Sequence, residues 1–186
     1  MMKGRERQKE ESRRMIEDAL FELMEEEEFS KITVVQIAER ADVARRTFYR
    51  LYESKEDVIR RCFWRLCEEY KADCKVLDSY DLRQISLDFF GFWYRHRDLL
   101  LLLNRCELDT MLYCEMSGAA SEIVRQRIGS EAMKERPDLE YFTEYSAGGF
   151  INLLRSWVAG GMREPADEYA ERVSTALLTV INDGKI

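Results

Sequence analysis

The sequence predicts an all-α protein, and three observations support this class. Apolar residues recur three and four positions apart along most of the 186 residues, which is the spacing of one face of a helix. Only two prolines interrupt the chain, and no stretch alternates apolar with polar residues as a half-buried strand would. The chain is 46% apolar and long enough to bury a sizeable core. We expect about nine helices.

The first predicted helix begins within the mixed-charge residues 4–14. Ile16, Leu20 and Leu23 then follow one another at helical spacing, so they mark one apolar face. The glutamates at 25–28 are expected to form a solvated end of this helix. Because an apolar face must be covered, the helix requires partner helices from the following residues.

The next stretch predicts two short helices joined by a tight turn. Thr33 followed three residues later by Gln36 has the form of a capping box, in which two side chains satisfy each other's backbone N–H groups. The following helix, predicted over 44–51, would bury Phe48 and Leu51. Its outer side carries Arg45, Arg46 and Arg50. This arrangement is a helix-turn-helix, which places its second helix in the major groove of DNA.

These residues resemble the DNA-binding domain of the TetR family of transcriptional regulators. The family pattern has Thr, then Ile-Ala, Ala-Gly-Val-Ser, Thr-Phe-Tyr, and an aromatic residue before Ser-Lys-Glu. The matching residues are Thr33, Ile37, Ala38, Ala41, Val43, Thr47, Phe48, Tyr49, Tyr52, Ser54, Lys55 and Glu56. Asp42 replaces the turn glycine, which is acceptable because Asp can adopt the left-handed conformation. Ala44 replaces the serine, so the second helix loses its side-chain cap.

The resemblance implies a cytoplasmic homodimeric regulator that binds a palindromic double-stranded DNA operator. The simplest form is a repressor released by a small-molecule ligand. The alternative is a DNA-bound regulator that is controlled by a protein partner, or acts as an activator, without a small-molecule inducer. The implied domains are a DNA-binding domain over residues 1–54 and a helical ligand-binding and dimerisation domain over residues 55–186.

The recognition helix supplies the predicted DNA contacts. Arg45 and Arg46 are expected to face base edges, because arginine can bind guanine bidentately. The predicted phosphate contacts, which fix register, are Thr33, Thr47, Tyr49 and Lys55. Arg50 could serve either role, and Ala44 begins the helix beside them.

The net charge of −7 is unusual for a DNA-binding protein, so its distribution matters. The window 40–50 contains four arginines against one acidic residue, Asp42. Phosphate attraction acts over about 8–10 Å at physiological salt, so a local basic patch suffices. The remaining acidity should weaken non-specific binding.

Six further helices are predicted beyond the helix-turn-helix. Their approximate ranges are 55–77, 81–96, 98–103, 108–129, 138–158 and 165–182, with a loop at 130–137. The helix over 55–77 physically links the DNA-binding head to the rest of the chain. Pro165 suits the first position of the last helix.

Aromatic and methionine residues beyond the head could line an apolar cavity for a small molecule. The predicted pocket residues are Phe63, Phe89, Phe92, Trp93, His96, Met111, Tyr113 and Met116. Each could instead fill the helical core, and His96 could be a structural residue at a helix end. The resemblance favours the cavity, since regulators of this family hold an inducer in this region, and an apolar or aromatic effector would fit such a lining.

The last two helices have more apolar surface than one neighbour can cover. This predicts one face against the chain's own core and another against a second subunit. The predicted interface residues are Phe150, Leu154, Trp157, Leu177 and Ile181.

An enzyme is not expected, because no reactive constellation can be assembled. The only histidine is His96, so a multi-histidine metal site is impossible. No nucleophile elbow, dinucleotide fingerprint or phosphate-binding loop occurs. The sequence therefore predicts no metal and no cofactor.

The five cysteines and the chain's ends bear on the compartment. An odd number without C-x-x-C spacing argues for a reducing, cytoplasmic compartment rather than a disulfide scaffold. The cysteines are interpreted as small buried apolar side chains, with a redox-sensing thiol as the alternative. No secretory signal is expected in the first residues, and the longest aliphatic run, 99–103, is too short for a membrane span.

Overall fold

The computed structural model describes residues 4–74 and 81–183. This part of the chain is all-α, as predicted, and contains no strand. Its elements are α1 (Gly4–Glu26), the 3-10 turn Phe29–Lys31, α2 (Val34–Arg40), α3 (Arg45–Leu51), α4 (Lys55–Asp73), α5 (Leu82–Arg95), α6 (Arg97–Arg105), α7 (Asp109–Ile128), α8 (Ser130–Glu135), α9 (Leu139–Ala159) and α10 (Ala166–Asp183).

Two boundaries differ from the sequence-based prediction. The prediction of a loop over residues 130–137 was wrong, because the first six of these residues form α8. Gly129 has a φ of +88°, which turns the chain sharply after α7, and the Met133 N–H donates to the Gly129 carbonyl at 3.2 Å. Glycine adopts that backbone conformation at little cost, so a new helix can start at once. Helix α4 ends at Asp73, and residues 75–77 of its predicted range lie outside the described residues.

The DNA-binding head is built on α1. This helix packs against α2, α3 and α4. Ile16 and Leu20 from α1 belong to the same buried cluster as Ile37 and Phe48, and all four are fully buried. Burying an apolar side chain of this size contributes about 1.5–3 kcal/mol, so this cluster fixes α3 relative to the rest of the head.

Helix α4 joins the head to the remaining helices. It packs on α1 at one end and on α7 further along. The Glu17 carboxylate of α1, almost fully buried, accepts hydrogen bonds from Arg65 Nη1 at 2.9 Å and Nη2 at 2.6 Å. The Tyr52 hydroxyl donates to the same carboxylate at 2.9 Å. A buried carboxylate needs such partners, and here they tie α1 to α4.

The other helices form a second layer around α5. Helix α10 makes the most extensive pairing with α5, and α9 packs on α7. Trp157 of α9 stacks on Tyr169 of α10 with ring centroids 4.5 Å apart, and its ring meets Phe90 of α5 edge-on at 5.8 Å. Aromatic pairs of these geometries add about 0.5–1.5 kcal/mol each beyond their area burial. The three helices therefore share one aromatic core.

A few large side chains stay exposed on this framework. Trp64 on α4 is 60% exposed, and Tyr141 and Tyr145 on α9 are 82% and 77% exposed. No helix within the described residues is long and apolar enough to cross a membrane.

Candidate functional site: nucleic-acid interface and ligand cavity

The capping box predicted at the start of α2 is confirmed. The Gln36 N–H donates to Thr33 Oγ1 at 3.3 Å, and the Thr33 N–H donates to Gln36 Oε1 at 2.8 Å. Gln36 Nε2 also donates to Glu27 Oε1 at 2.8 Å, which ties the cap to the end of α1. These bonds fix the direction in which α2 leaves the turn.

The turn between α2 and α3 has the predicted backbone. Asp42 adopts a φ of +50°, the left-handed conformation that the usual glycine would take. The Val43 N–H donates to the Ala38 carbonyl at 3.0 Å and closes the turn. Ala44 is the N-cap of α3 and provides no side-chain hydrogen bond, also as predicted.

Helix α3 presents one basic side to solvent. Phe48 and Leu51 are buried beneath it, which orients the helix, while Arg45, Arg46, Tyr49 and Arg50 are exposed. The Arg45 guanidinium lies 5.4 Å from the centre of the Tyr49 ring and donates to its hydroxyl at 3.4 Å. Thr33 and Ala44 are also exposed, and Thr47 is half-buried. The structure thus brings these predicted residues together at one end of the molecule.

The fourth arginine of the basic window, Arg40, is paired within the protein. Its Nη2 lies 2.7 Å from Glu26 Oε2, and its Nη1 lies 3.4 Å from Glu22 Oε2. These carboxylates raise the pKa of Arg40 and offset its charge. The basic character of this surface therefore comes from the three arginines of α3.

Lys55 has a different environment from the other predicted DNA contacts. Its ammonium group donates to the carbonyls of Phe29, Ser30 and Ile32 at 2.6, 3.2 and 2.8 Å. It also lies 4.5 Å from the centre of the Phe29 ring. An ammonium group has three donors, so Lys55 uses all of them to hold the segment that leads into α2.

An apolar cavity lies between α4, α5, α7 and α9. Its volume is about 60 Å³. The lining residues are Cys67, Tyr70, Ile85, Phe89, Trp93, Met116, Ala119, Ala120, Ile123, Val124, Arg127, Ser146, Ala147, Phe150 and Ile151. Three predicted pocket residues, Phe89, Trp93 and Met116, are among them.

The other predicted pocket residues lie around this cavity rather than along its wall. Phe63 is buried and stacks on Trp93 with ring centroids 5.3 Å apart. Phe92 is buried and packs against half-buried His96 with centroids 5.0 Å apart. Met111 is half-buried and Tyr113 is buried. None of these five residues is among those that line the cavity.

Arg127, the cavity's cationic lining residue, was missed by sequence reasoning. Its side chain is buried, and Nη2 contacts Asp88 Oδ2 at 3.1 Å, the Tyr70 hydroxyl at 3.4 Å and Cys74 Sγ at 3.3 Å. The sequence does contain a signal for its burial, because Arg127 lies four residues after Ile123 and so falls on the apolar stripe of α7.

The predicted dimer residues occupy two kinds of position. Phe150, Leu154 and Trp157 are buried within the single chain. Phe150 and Trp157 pack on Phe90 of α5, and Trp157 also stacks on Tyr169 of α10. This differs from the expectation that they anchor a second subunit. Leu177 is half-buried, and the side chain of Ile181 lies outside the described residues.

The outer side of α9 carries residues that are not among the predicted interface residues. Tyr141, Tyr145, Gly148, Gly149 and Asn152 are all exposed and recur at helical spacing. A Cβ atom added at either glycine would meet nothing within 4 Å. This side of the helix is therefore open to close approach.

Comparisons with known proteins agree with this architecture. Residues 16–62 match the family model described as bacterial regulatory proteins, tetR family, and residues 80–179 match the one described as transcriptional regulator C-terminal region. Comparison with curated proteins gave no match.

Two solved structures share the fold. The dihydroxyacetone kinase operon activator DhaS is 16% identical with a TM-score of 0.66, over 92% of this chain and 96% of that one. The fatty acid degradation regulator FadR from Bacillus halodurans is 19% identical with a TM-score of 0.59, over 90% of this chain and 94% of that one. The two family matches together span both the helix-turn-helix and more than half of the chain beyond it. The chain belongs to the tetR family of bacterial regulatory proteins.

Proposed function

We propose that this protein is a homodimeric repressor that binds a palindromic DNA operator through α3 and is released by a small molecule bound between α4, α5, α7 and α9. The observation that carries the DNA-binding part is the solvent-facing basic side of α3. Its three arginines are exposed, and the orientation of the helix is fixed by the buried side chains of Phe48 and Leu51.

Arg45 and Arg46 are assigned to base edges in this proposal. They occupy the first positions of α3, and the N-terminal residues of a recognition helix are those that enter the major groove. Thr33, Thr47 and Tyr49 flank them and are assigned to phosphates, which fix register without reading sequence. Arg50 lies one turn beyond Arg46 and is assigned to either role, and Ala44 leaves room for the DNA backbone.

Lys55 is assigned to positioning. Its three hydrogen bonds hold residues 29–32, and this segment ends one residue before the Thr33 cap. Binding a phosphate directly would require Lys55 to give up these bonds. The sequence-based expectation of a direct phosphate contact stays a prediction.

The dimer is assigned to the outer sides of α9 and α10. The exposed tyrosines of α9 precede two exposed glycines, which allow a second helix to approach closely. On α10, Leu178 and Val180 are 41% and 45% exposed. These helices from two subunits would form a four-helix bundle with a two-fold axis. The two recognition helices would then meet half-sites roughly 34–36 Å apart or somewhat further.

Release by a small molecule is supported by the position of the cavity. Cys67 and Tyr70 of α4 line it, and the same helix begins directly after the recognition helix. A ligand can shift the equilibrium between two positions of α4 only by as much as its affinities for the two positions differ. A ligand that fills the cavity would favour the position of α4 in which the cavity is larger.

An activator, or a regulator controlled by a protein partner, is the second candidate. One of the two solved structures described above is named an operon activator. Likeness at that level concerns the fold alone. The apolar cavity beside α4 favours the small-molecule form.

The DNA assignment is tested by selecting bound sequences from a random DNA pool and then measuring affinity for the selected site. Arg46→Ala should reduce specific affinity by about 1–3 kcal/mol and relax the preference at one position of each half-site, because one bidentate base contact is lost. Arg163→Ala, an exposed arginine far along the chain in the connection before α10, is the matched control. If Arg46→Ala weakened selected and random DNA equally, the base contact would be misplaced.

A further inference from the structure

Two side chains that line the apolar cavity have hydrogen-bond donors left without acceptors. Arg127 is 5% exposed, and its Nε and Nη1 are buried without a hydrogen-bond partner from the protein. Trp93 is 1% exposed, and its Nε1 is in the same situation. Both residues line the cavity. Leaving a buried donor unpaired is costly, and more so for a charged group.

The hydrogen-bond partners of Arg127 all contact one of its nitrogens, Nη2. Nη2 faces Asp88, Tyr70 and Cys74, and Asp88 is 39% exposed at the edge of the protein. Burial raises the pKa of Tyr70, so this phenol is neutral near pH 7. Asp88 therefore provides the negative charge on the outer side of the guanidinium, while the Nε–H and the Nη1–H groups lack an acceptor.

We infer that the cavity binds a monocarboxylate with an apolar tail, whose carboxylate accepts hydrogen bonds from Arg127 and Trp93. This inference rests on the proposed function for its regulatory meaning, but the binding itself does not depend on DNA. Unpaired donors call for an acceptor, and a buried guanidinium favours a charged one, since charge-assisted hydrogen bonds are the stronger kind.

The remaining lining residues of the cavity limit the tail and the charge that a ligand can have. Ile85, Ile123, Phe150 and Ile151 offer only carbon to a ligand. A doubly charged group such as a phosphate monoester would add two negative charges beside Arg127, whose single positive charge is already paired with Asp88, and burying two charges costs more than burying one. A single carboxylate on a hydrocarbon fits both the donors and the lining.

The size of the cavity limits the tail. An engineered apolar cavity of roughly 150 Å³ is enough to hold benzene, whereas this space measures about 60 Å³. A carboxylate head group meets the unpaired nitrogens when Arg127 and Trp93 shift slightly, because each of these atoms is itself buried. A longer tail requires side chains to move, and Met116 in the wall is the most adaptable of them.

The test compares ligands that share a tail and differ in the head group. Hexanoate, hexan-1-ol and hexan-1-amine are titrated calorimetrically into the full-length protein, followed by decanoate and decan-1-ol. The carboxylate should bind roughly 10- to 100-fold more tightly than the alcohol of the same chain, the range expected for hydrogen bonds to a charged group. The amine should bind most weakly, because its charge repels Arg127.

Two matched variants separate a ligand role for Arg127 from a purely structural one. Arg127→Gln should abolish the preference for carboxylate over alcohol while leaving alcohol binding unchanged. Asp88→Asn removes the same ion pair but keeps the guanidinium, so the preference should persist or increase. Trp93→Phe keeps the ring and removes the donor, and should reduce the preference a few-fold. This conservative change tests the inference even if Arg127→Gln fails to fold.

The inference fails if carboxylate and alcohol bind equally, or if neither binds. It also fails if Arg127→Gln and Asp88→Asn lower the melting temperature alike and leave the preference for carboxylate over alcohol unchanged. Arg127 would then only pair with Asp88 and would not bind the ligand. Operator affinity is measured separately by fluorescence anisotropy, with and without decanoate. Tight carboxylate binding that leaves operator affinity unchanged would support this inference and contradict the proposed release mechanism.

Discussion

Lys55 shows how the role of a single residue depends on what its side chain already contacts. A lysine on the DNA side of the head is expected to bind phosphate, but this one donates to three carbonyls of the segment before α2. The Phe29 carbonyl also accepts a hydrogen bond from the Ile32 N–H at 3.2 Å. The contribution of Lys55 to DNA binding would then come from holding the head in shape.

The variant Lys55→Met tests this role. We expect the free energy of unfolding to fall by about 1–3 kcal/mol, because carbonyl groups lose a charged donor. Lys31→Met, which removes an exposed lysine paired with Glu28 at 3.1 Å, should cost about 0–1 kcal/mol. Urea denaturation measures both. The salt dependence of operator binding should keep its slope in Lys55→Met, whereas a slope reduced by about one would reveal a direct phosphate contact.

His96 makes the stability depend on pH in a simple way, because it is the chain's only histidine. Burial lowers its pKa below the ordinary value, assisted by the charge of Arg95 and opposed by that of Glu69. The folded protein thus holds this proton more weakly than the unfolded chain does. Stability should therefore be full above the ordinary pKa of about 6.5 and decline as pH falls from there through the lower folded pKa.

Thermal unfolding at pH values from about 7.5 down to 5.5 measures this effect. His96→Gln should flatten the dependence in that range, since the carboxylates protonate at lower pH. An unchanged slope in this variant would assign the dependence to other groups.

At the scale of elements, α4 connects the recognition helix to the cavity. Its Arg65 is paired with the buried Glu17 of α1, and its Phe63 stacks on Trp93 in the cavity wall. The middle of α4 is therefore held to α1 by an ion pair, while Cys67 and Tyr70 in its C-terminal half line the cavity and contact whatever fills it.

The strength of that tie is tested by Arg65→Gln. The carboxylate of Glu17 would keep the Tyr52 hydroxyl but lose its counter-charge, which should cost about 1–3 kcal/mol, less than a fully buried pair because Arg65 is partly exposed. The pair Arg83–Glu171 also joins two helices, α5 and α10, but is exposed on both sides. Arg83→Gln should therefore cost no more than about 1 kcal/mol. Equal losses in the two variants would show that burial does not distinguish them.

The elements also show where prediction from sequence succeeds. The capping box at Thr33, the left-handed Asp42 and the uncapped start of α3 all depend on neighbouring residues, so local sequence determines them. Helix α8 was missed because Gly129 and Pro137 bracket a segment too short to show a helical repeat.

Residues in the C-terminal helices were harder to place for a different reason. Periodicity identifies the apolar sides of α9, but it does not say whether α5, α10 or a second subunit covers Leu154. Arg127 was missed because a charged side chain on an apolar stripe is ordinarily interpreted as solvent-exposed. Its burial depends on Tyr70 and Asp88, which come from other helices.

At the scale of the whole molecule, the dimer can be tested without disturbing the subunit. Gly149→Glu places a charge on the open side of α9, where an added Cβ meets nothing within 4 Å. The isolated subunit should keep its stability, since replacing a helical glycine is generally favourable. A charge buried between subunits without a partner should, however, cost several kcal/mol. We expect the variant to sediment as a monomer and to lose affinity for the palindrome.

Gly91→Glu is the matched control. It introduces the same side chain on α5, again with nothing within 4 Å of the added Cβ, and the proposed dimer does not use that helix. This variant should remain dimeric. If the unmodified protein sedimented as a monomer at micromolar concentration, the dimer and the operator geometry that follows from it would both be abandoned.

The three tryptophans differ in environment, and this gives the protein a built-in optical signal. Trp64 is 60% exposed on α4, whereas Trp157 is 5% exposed and Trp93 is 1% exposed in the cavity wall. Collisional quenchers such as iodide should reach Trp64 alone, and the remaining emission should be blue-shifted because it comes from apolar surroundings. A molecule that enters the cavity would then change the unquenched fluorescence, while a change in the quenched part would report on α4. Occupancy and helix movement could thus be followed separately in the unlabelled protein.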